Sequence, residues 1–294
     1  LLSSRTIQNY LSTYEDNKDD PKLFESKGYP VKPQDFSKLL EVDTVYYDEA
    51  HFDHNFVCHL VSTINTKRFI GMSATPDADM AFQNRMMKLL FPLSKRYVQK
   101  VANVYQQPIA WHYQFKRPEY LRVTTKMGYS HILLEQTIMK RGWMMDAYFK
   151  LIKKAIDDYF YPKHQANNKL RCVVTVATIE MARELKNYIE EQYTGIFEKV
   201  TTYVEGENVS NLYGATLCVS TIIGAGTGHD IPMLATVIMT NAISSTKSNL
   251  QAIGRLRKLE IENMPDIEHS FVYFVADNLD QHVKYHHKKV NETF

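Results

Sequence analysis

None of the 11 glycines in this chain is followed by lysine, so the phosphate-binding pattern G-x-x-x-x-G-K-[ST] occurs nowhere in its 294 residues. Cysteine is scarce. Cys58, Cys172 and Cys218 do not have metal-ligand spacing, and the latter two sit inside apolar runs, as buried thiols of a protein in a reducing, intracellular compartment would. No apolar stretch reaches the roughly 18 residues of a membrane-spanning helix, so no membrane partner is expected. Leu1-Leu2-Ser3-Ser4-Arg5 lacks the charge, apolar run and cleavage site of a secretion signal. The missing initiator Met is what a chain starting inside a longer protein, or one processed at its start, would show. Charge imbalance is absent as well: 35 basic against 33 acidic residues leave a formal +2, which excludes a polybasic binder but leaves room for a local basic track.

What is present suffices for one or two cored domains, with 44% hydrophobic residues. Nineteen Tyr beside many Asn and Lys is the composition of an AT-rich, virus-like coding sequence. Ser4 to Leu11 reads as a strand end running into a short helix, followed by a polar loop from Glu15 to Pro33 with Gly28-Tyr29-Pro30 as its turn. Phe36 to Leu40 reads as one helical turn, and 43–47 as a strand. A helix over 52–65 would face inward with Phe56, Leu60, Val61 and Ile64. A strand over 67–72 and a helix over 79–90 follow, and residues 95–125 look like extended segments crossing between domains. Residues 131–161 predict a helix or helix pair, and 162–169 a polar linker. From Leu170, strands at 171–176, 200–204, 215–220, 235–240 and 270–275 alternate with helices at 179–192 and from Gln251. That order implies an α/β fold whose parallel sheet is buried on both faces. A basic, exposed tail closes the chain.

Four stretches carry candidate chemistry. Asp43 to Tyr47 leads into Asp48-Glu49-Ala50-His51. Two adjacent carboxylates at a strand's C-terminal edge can place a Mg²⁺-binding Asp (Asp48) beside a water-activating Glu (Glu49); the bland alternative is an acidic surface turn. Gly71-Met72-Ser73-Ala74-Thr75-Pro76 offers small hydroxyls able to switch hydrogen-bond partners, or simply a helix cap. Thr221 to Pro232 contains Gly224, Gly226 and Gly228, whose spacing permits close backbone approach to a phosphate; a plain Gly-rich loop would look similar. Gln251-Ala252-Ile253-Gly254-Arg255-Leu256-Arg257-Lys258 presents guanidinium forks suited to phosphate, or a solvated basic helix end.

In this order and spacing the stretches resemble the superfamily 2 DEAH/DExH-box helicases, most closely phage or viral DExH helicases of the UvsW-like kind. The resemblance spans about residues 1–275. It implies RecA-like parallel sheets in one partial and one complete motor domain. The expected boundaries are 1–95 for the C-terminal part of the first domain, 96–169 for a connector with helices, 170–277 for the second domain and 278–294 for the tail. It also implies ATP and Mg²⁺ as cofactors, with Asp48 on the metal, Glu49 as base and His51 near the closing second domain. Gly228, Asp230 and Gln251 would then lie on the nucleotide side, and Ser73 and Thr75 would couple hydrolysis to movement. Arg255 matches the first arginine finger. The second position carries Lys258, with Arg257 one residue early, leaving open which of the two serves.

Thr6, Gln8, Thr178 and Thr221 would contact DNA or RNA through the phosphate backbone, with ordinary strand-end capping as the alternative for Thr6, Gln8 and Thr178. Trp111, Tyr113, Phe115 and Tyr120 could stack bases, with an interdomain core as their plainer reading. The missing phosphate loop implies a chain deficient in ATPase activity by itself, the loop being supplied by an upstream segment or partner chain. Two other readings are a non-catalytic helicase-like scaffold or nucleic-acid clamp, and a duplex translocase module.

Overall fold

Tyr10 and Leu11 on one helix, and Phe56 and Leu60 on another with Ile64 just past its end, form a small apolar cluster near the start of the chain. The structure is a computed structural model that describes residues 3–20, 22, 26, 32–48, 50, 53–73, 81–97, 106–126, 128–221, 230–259 and 267–292. It divides into two compact units, 1–100 and 101–294. Helix α1 (Ser4–Asn17) starts where the Ser3 hydroxyl accepts the Thr6 N–H at 3.1 Å. It is longer than the sequence suggests, running past Glu15. In α2 (His54–Thr63), Asp53 caps the first turn through the Phe56 N–H at 3.0 Å. Val57, not Val61, completes its buried face. Strands β1 (Thr44–Tyr47) and β2 (Arg68–Gly71) pair in parallel, with Tyr47 opposite Gly71, and α3 (Ala81–Leu90) follows. Period-two alternation turns Tyr47 and Phe69 toward the core, while Tyr46 and Ile70 are exposed.

The second unit is built on six parallel strands in the order β3-β10-β9-β6-β8-β7. They are β3 (Gln106–Tyr113), β6 (Arg171–Val176), β7 (Val200–Tyr203), β8 (Leu217–Thr221), β9 (Leu234–Met239) and β10 (His269–Ala276). A short hairpin, β4 (Thr124–Thr125) with β5 (Gly128–Tyr129), stands apart from this sheet. Alternation sorts neighbouring side chains to opposite faces. Cys172, Val174, Val176, Val272, Phe274 and Ala276 join one apolar cluster, whereas Val173, Phe271, Tyr273 and Val275 join the other. The first cluster is covered by α4 (His131–Met139), α5 (Gly142–Tyr159) and α7 (Ile179–Gln192), and the second by α8 (Ser210–Tyr213) and α9 (Thr246–Ile253). Burial raises both core thiols, that of Cys218 to about 12.

Three expectations need correction. The segment read as an interdomain connector is part of the second unit: β3 pairs with β10 along eight residues, and α4 and α5 supply core. As an edge strand it has one hydrogen-bonded neighbour, which accommodates Pro108 and explains its mixed polarity. Trp111, Tyr113 and Phe115 therefore pack against this unit's own core. Residues 162–169 are not all linker, because α6 (Tyr161–Ala166) opens with Pro162 in its first turn. Nor is the tail free: α10 (Asp280–Glu292) docks with His282 and Lys289 almost fully buried. Among the described residues no helix is long and apolar enough to cross a membrane.

Candidate functional site

The parallel register of β1 and β2 brings Asp48 and Ser73 out of the same sheet edge. The Met72 N–H donates to the Tyr47 carbonyl at 2.8 Å, and the Ala50 N–H to the Met72 carbonyl at 2.9 Å. Gly71 makes this closeness possible: a Cβ there would lie 2.7 Å from the Phe91 ring and 3.1 Å from the Ala50 methyl. Asp48 follows β1 at an exposed position, and Ser73 follows β2 half-buried. Glu49, His51 and Thr75 lie outside the described residues, as do Gly228 and the Gly28-Tyr29-Pro30 turn. Among the described residues no group of three or more His, Cys, Asp or Glu could hold a metal. A single carboxylate such as Asp48 is nevertheless a common protein share for Mg²⁺ held chiefly by phosphates and water. Thr6 and Gln8 are exposed on α1, Thr6 with its hydroxyl 2.8 Å from that of Ser3.

In the second unit, β8 ends at the half-buried Thr221. Asp230 pairs with Arg257 at 3.3 Å, both largely exposed. Such a surface pair contributes only about 0–1 kcal/mol, so either partner can be drawn to another charge at little cost. Gln251 does not open a helix. α9 starts at Thr246, where the Ser245 hydroxyl accepts the Ser248 N–H at 3.2 Å, so Gln251 occupies its last turn. A Ser cap upstream outcompetes the start suggested by the motif. Gly254 ends the helix. Arg255 is then half-buried, Leu256 fully buried, and Arg257 and Lys258 exposed.

The carboxyl edge of β6 holds a constellation that the sequence reading missed. Glu135, fully buried on α4, accepts the Ala177 N–H at 2.7 Å, the Thr178 N–H at 2.8 Å and the Thr178 hydroxyl at 2.9 Å. Thr178 in turn caps α7, accepting the Met181 N–H at 3.2 Å. The capping alternative for this residue is thus present in the geometry.

A chain of polar contacts leads from Glu135 to the C-terminal helix. The Ala276 N–H donates to His282 Nδ1 at 3.2 Å, which puts the His282 proton on Nε2, 2.6 Å from the Tyr129 hydroxyl. That hydroxyl donates to His131 Nδ1 at 2.7 Å, an acceptor shared with the Ala242 N–H at 3.3 Å. His131 Nε2 then faces Glu135 at 3.7 Å. Burial dominates the electrostatics here. It pushes the Glu135 carboxyl up to about 7, against the pull of its three donors. It pushes His282 down to about 4 and His131 down as well. A glutamate inside the otherwise apolar stretch His131-Ile132-Leu133-Leu134-Glu135, one residue from Leu134 and three from Ile138, was the available signal.

No protein-family model and no curated protein sequence matches the chain. Solved structures do. A Saccharomyces cerevisiae Dbp5 variant bound to a Gle1 variant and IP6 superposes with TM-score 0.52 at 11% identity, covering 92% of this chain and 59% of that one. S. cerevisiae Dbp5 bound to RNA and ADP BeF3 gives 0.50 at 11% identity, covering 85% and 57%. Dbp5 is described as a DEAD-box protein. The chain spans under three fifths of the length of these relatives. With its six-stranded parallel sheet between helical layers, it has the fold of RecA-like helicase domains.

Proposed function

We propose that this chain is part of an ATP-dependent superfamily 2 helicase or translocase of the DEAH/DExH type. The observation that carries the reading is the Tyr47–Gly71 register, which brings Asp48 and Ser73, separate motifs in the sequence, to one sheet edge. The fold shared with Dbp5, which was solved with RNA and ADP BeF3, adds support for nucleotide and nucleic-acid binding. In this reading Asp48 holds Mg²⁺, Glu49 orients water, and Arg255 with Arg257 or Lys258 meets the phosphates. Bound ATP supplies the phosphoanhydride and Mg²⁺ the charge neutralisation. Asp230, exposed in the second unit and released from Arg257, would serve the nucleotide. Thr6, Gln8, Thr178 and Thr221 remain the proposed backbone contacts to DNA or RNA. At Thr178 the donor available to a phosphate is limited, since its hydroxyl and N–H both serve Glu135.

The chain by itself contains no phosphate loop of the G-K-[ST] type, so its steady ATPase rate is expected to be negligible, and to appear when a segment or partner carrying that loop is joined to it. Measuring ATP hydrolysis with and without single-stranded DNA or RNA tests this. Turnover by the 294 residues alone, abolished by Glu49→Gln, overturns the deficiency. Lack of turnover in the loop-containing assembly, with ATP still bound, favours instead a non-catalytic nucleic-acid clamp.

A further inference from the structure

Rings and cations share one surface of the second unit outside the four motif stretches, and it includes Tyr120, one of the rings that the sequence offers for base stacking. Lys116 and Arg117 follow β3, Tyr120 ends the turn Pro118–Tyr120, and Arg141 and Trp143 stand at the start of α5. These five residues line a cavity of about 520 Å³, within the roughly 300–1,000 Å³ of small-ligand sites. Trp143 is 50% exposed and Tyr120 44%. The contrast with Trp111, set edge-on against Tyr159 in the core at 5.6 Å, is marked. The Arg141 guanidinium lies 5.4 Å from the Tyr120 ring centroid, which holds a cation beside a π face. Glu119 is 4.0 Å from Arg117 across an exposed pair, too weak a contact to neutralise the patch.

We infer that this cavity is a binding site for single-stranded nucleic acid, with a base stacked on Trp143 or Tyr120 and neighbouring phosphates held by Lys116, Arg117 and Arg141. Charge complementarity selects a polyanion, and two exposed rings select one that carries flat aromatic faces. An acidic peptide or an anionic lipid surface satisfies only the first condition. The site stands on its own residues and needs no nucleotide hydrolysis, so it survives if the motor reading fails.

The test is a fluorescence titration of the 294-residue chain, without ATP and at low salt, with dT and rU oligonucleotides of about 12 nucleotides. Quenching of tryptophan emission is expected, retained in Trp111→Phe and lost in Trp143→Ala. Oligonucleotide anisotropy should show Trp143→Ala binding about tenfold more weakly, with Trp143→Phe recovering most of the loss. Lys116→Glu with Arg117→Glu, both at exposed positions, should weaken binding further and flatten its salt dependence by about two phosphate contacts. These charge variants keep the test decisive if a tryptophan variant folds poorly. Unchanged affinity in the charge variants, or absence of any Trp143-dependent quench, overturns the site. Equal affinity for dTMP and for the oligonucleotide overturns its assignment to a strand.

Discussion

The Thr178 hydroxyl donates to the buried Glu135 carboxylate at 2.9 Å while accepting the Met181 N–H at 3.2 Å. One side chain thereby closes the end of β6, starts α7 and occupies an acid that is out of reach of water. Three donors converge on Glu135, so truncating it leaves two buried donors and one part-buried donor without their acceptor, at about 1–3 kcal/mol for each buried one. Glu135→Ala is expected to cost at least about 3 kcal/mol, and Glu135→Gln less. Urea unfolding followed by circular dichroism measures both; a cost under about 1 kcal/mol for Glu135→Ala would contradict the network.

The same cluster sets a pH dependence. His282 falls from its ordinary 6.5 to about 4 on folding because it is buried. Between those values the unfolded chain holds a proton that the folded chain does not, so acidification through about 6.5 to 4 removes stability. His131 acts in the same direction. Glu135 opposes them. Raised from 4.5 to about 7, it binds its proton more tightly in the fold and loses stability as pH rises through that window. The His282 and Glu135 shifts, each corresponding to roughly 3 kcal/mol, about offset one another, so the direction that His131 adds decides the net sign. Lys289, lowered by burial from 10.5 to about 7 despite the Tyr273 ring 4.8 Å away, adds stability as pH rises above 7. Urea midpoints should therefore decline from pH 6.5 to 5 and rise from 7 to 9, with the acid decline smaller in His282→Gln. A midpoint that increases on acidification would refute the balance.

Gly71→Ala should destabilise the first unit by about 1–3 kcal/mol, because the added methyl meets the Phe91 ring at 2.7 Å. Adding Phe91→Ala removes the clash, so the double variant should lose less than the sum of the two single ones. Additive losses in thermal unfolding would show that the close approach is not what requires glycine.

Breaking the exposed Asp230–Arg257 pair should hardly change stability. Asp230→Ala and Arg257→Ala are each expected within about 0.5 kcal/mol of the parent. If these residues serve phosphate chemistry, the same variants should lower nucleic-acid-stimulated ATPase of the loop-containing protein about tenfold or more. Wild-type rates in both variants would remove them from the site and leave Arg255 and Lys258 as the cations to examine.

Much of the second unit was legible from local pattern. The apolar run Arg171–Val176 and the face Met181, Leu185, Tyr188, Ile189 gave β6 and α7 with the observed limits, Tyr188 being only half-buried, since both signals lie within a few residues of one another. Residues 106–113 were harder. Their alternation is that of an edge strand, and the partner that makes them one, β10, lies over 150 residues away. The tail misled for a related reason: His282 and Lys289 look solvated by composition, yet Tyr129, the Ala276 N–H and the Tyr273 ring give them places inside.

By itself the sequence determined which chemical groups this protein possesses and in what order: Asp48 beside Glu49, the S-A-T-P run, Gln251 to Lys258, and no lysine after any glycine. Tertiary structure decided which of them meet. Pairing of β1 with β2 brought Asp48 and Ser73 to one edge, Ser245 moved the start of α9 ahead of Gln251, and Glu135 reached Thr178 across 43 positions. Burial, not composition, then set the protonation of that cluster. Motif content is local and can be read along the chain. Hydrogen-bond partners and desolvation depend on which distant segments share a core, and that is settled only when the sheets close.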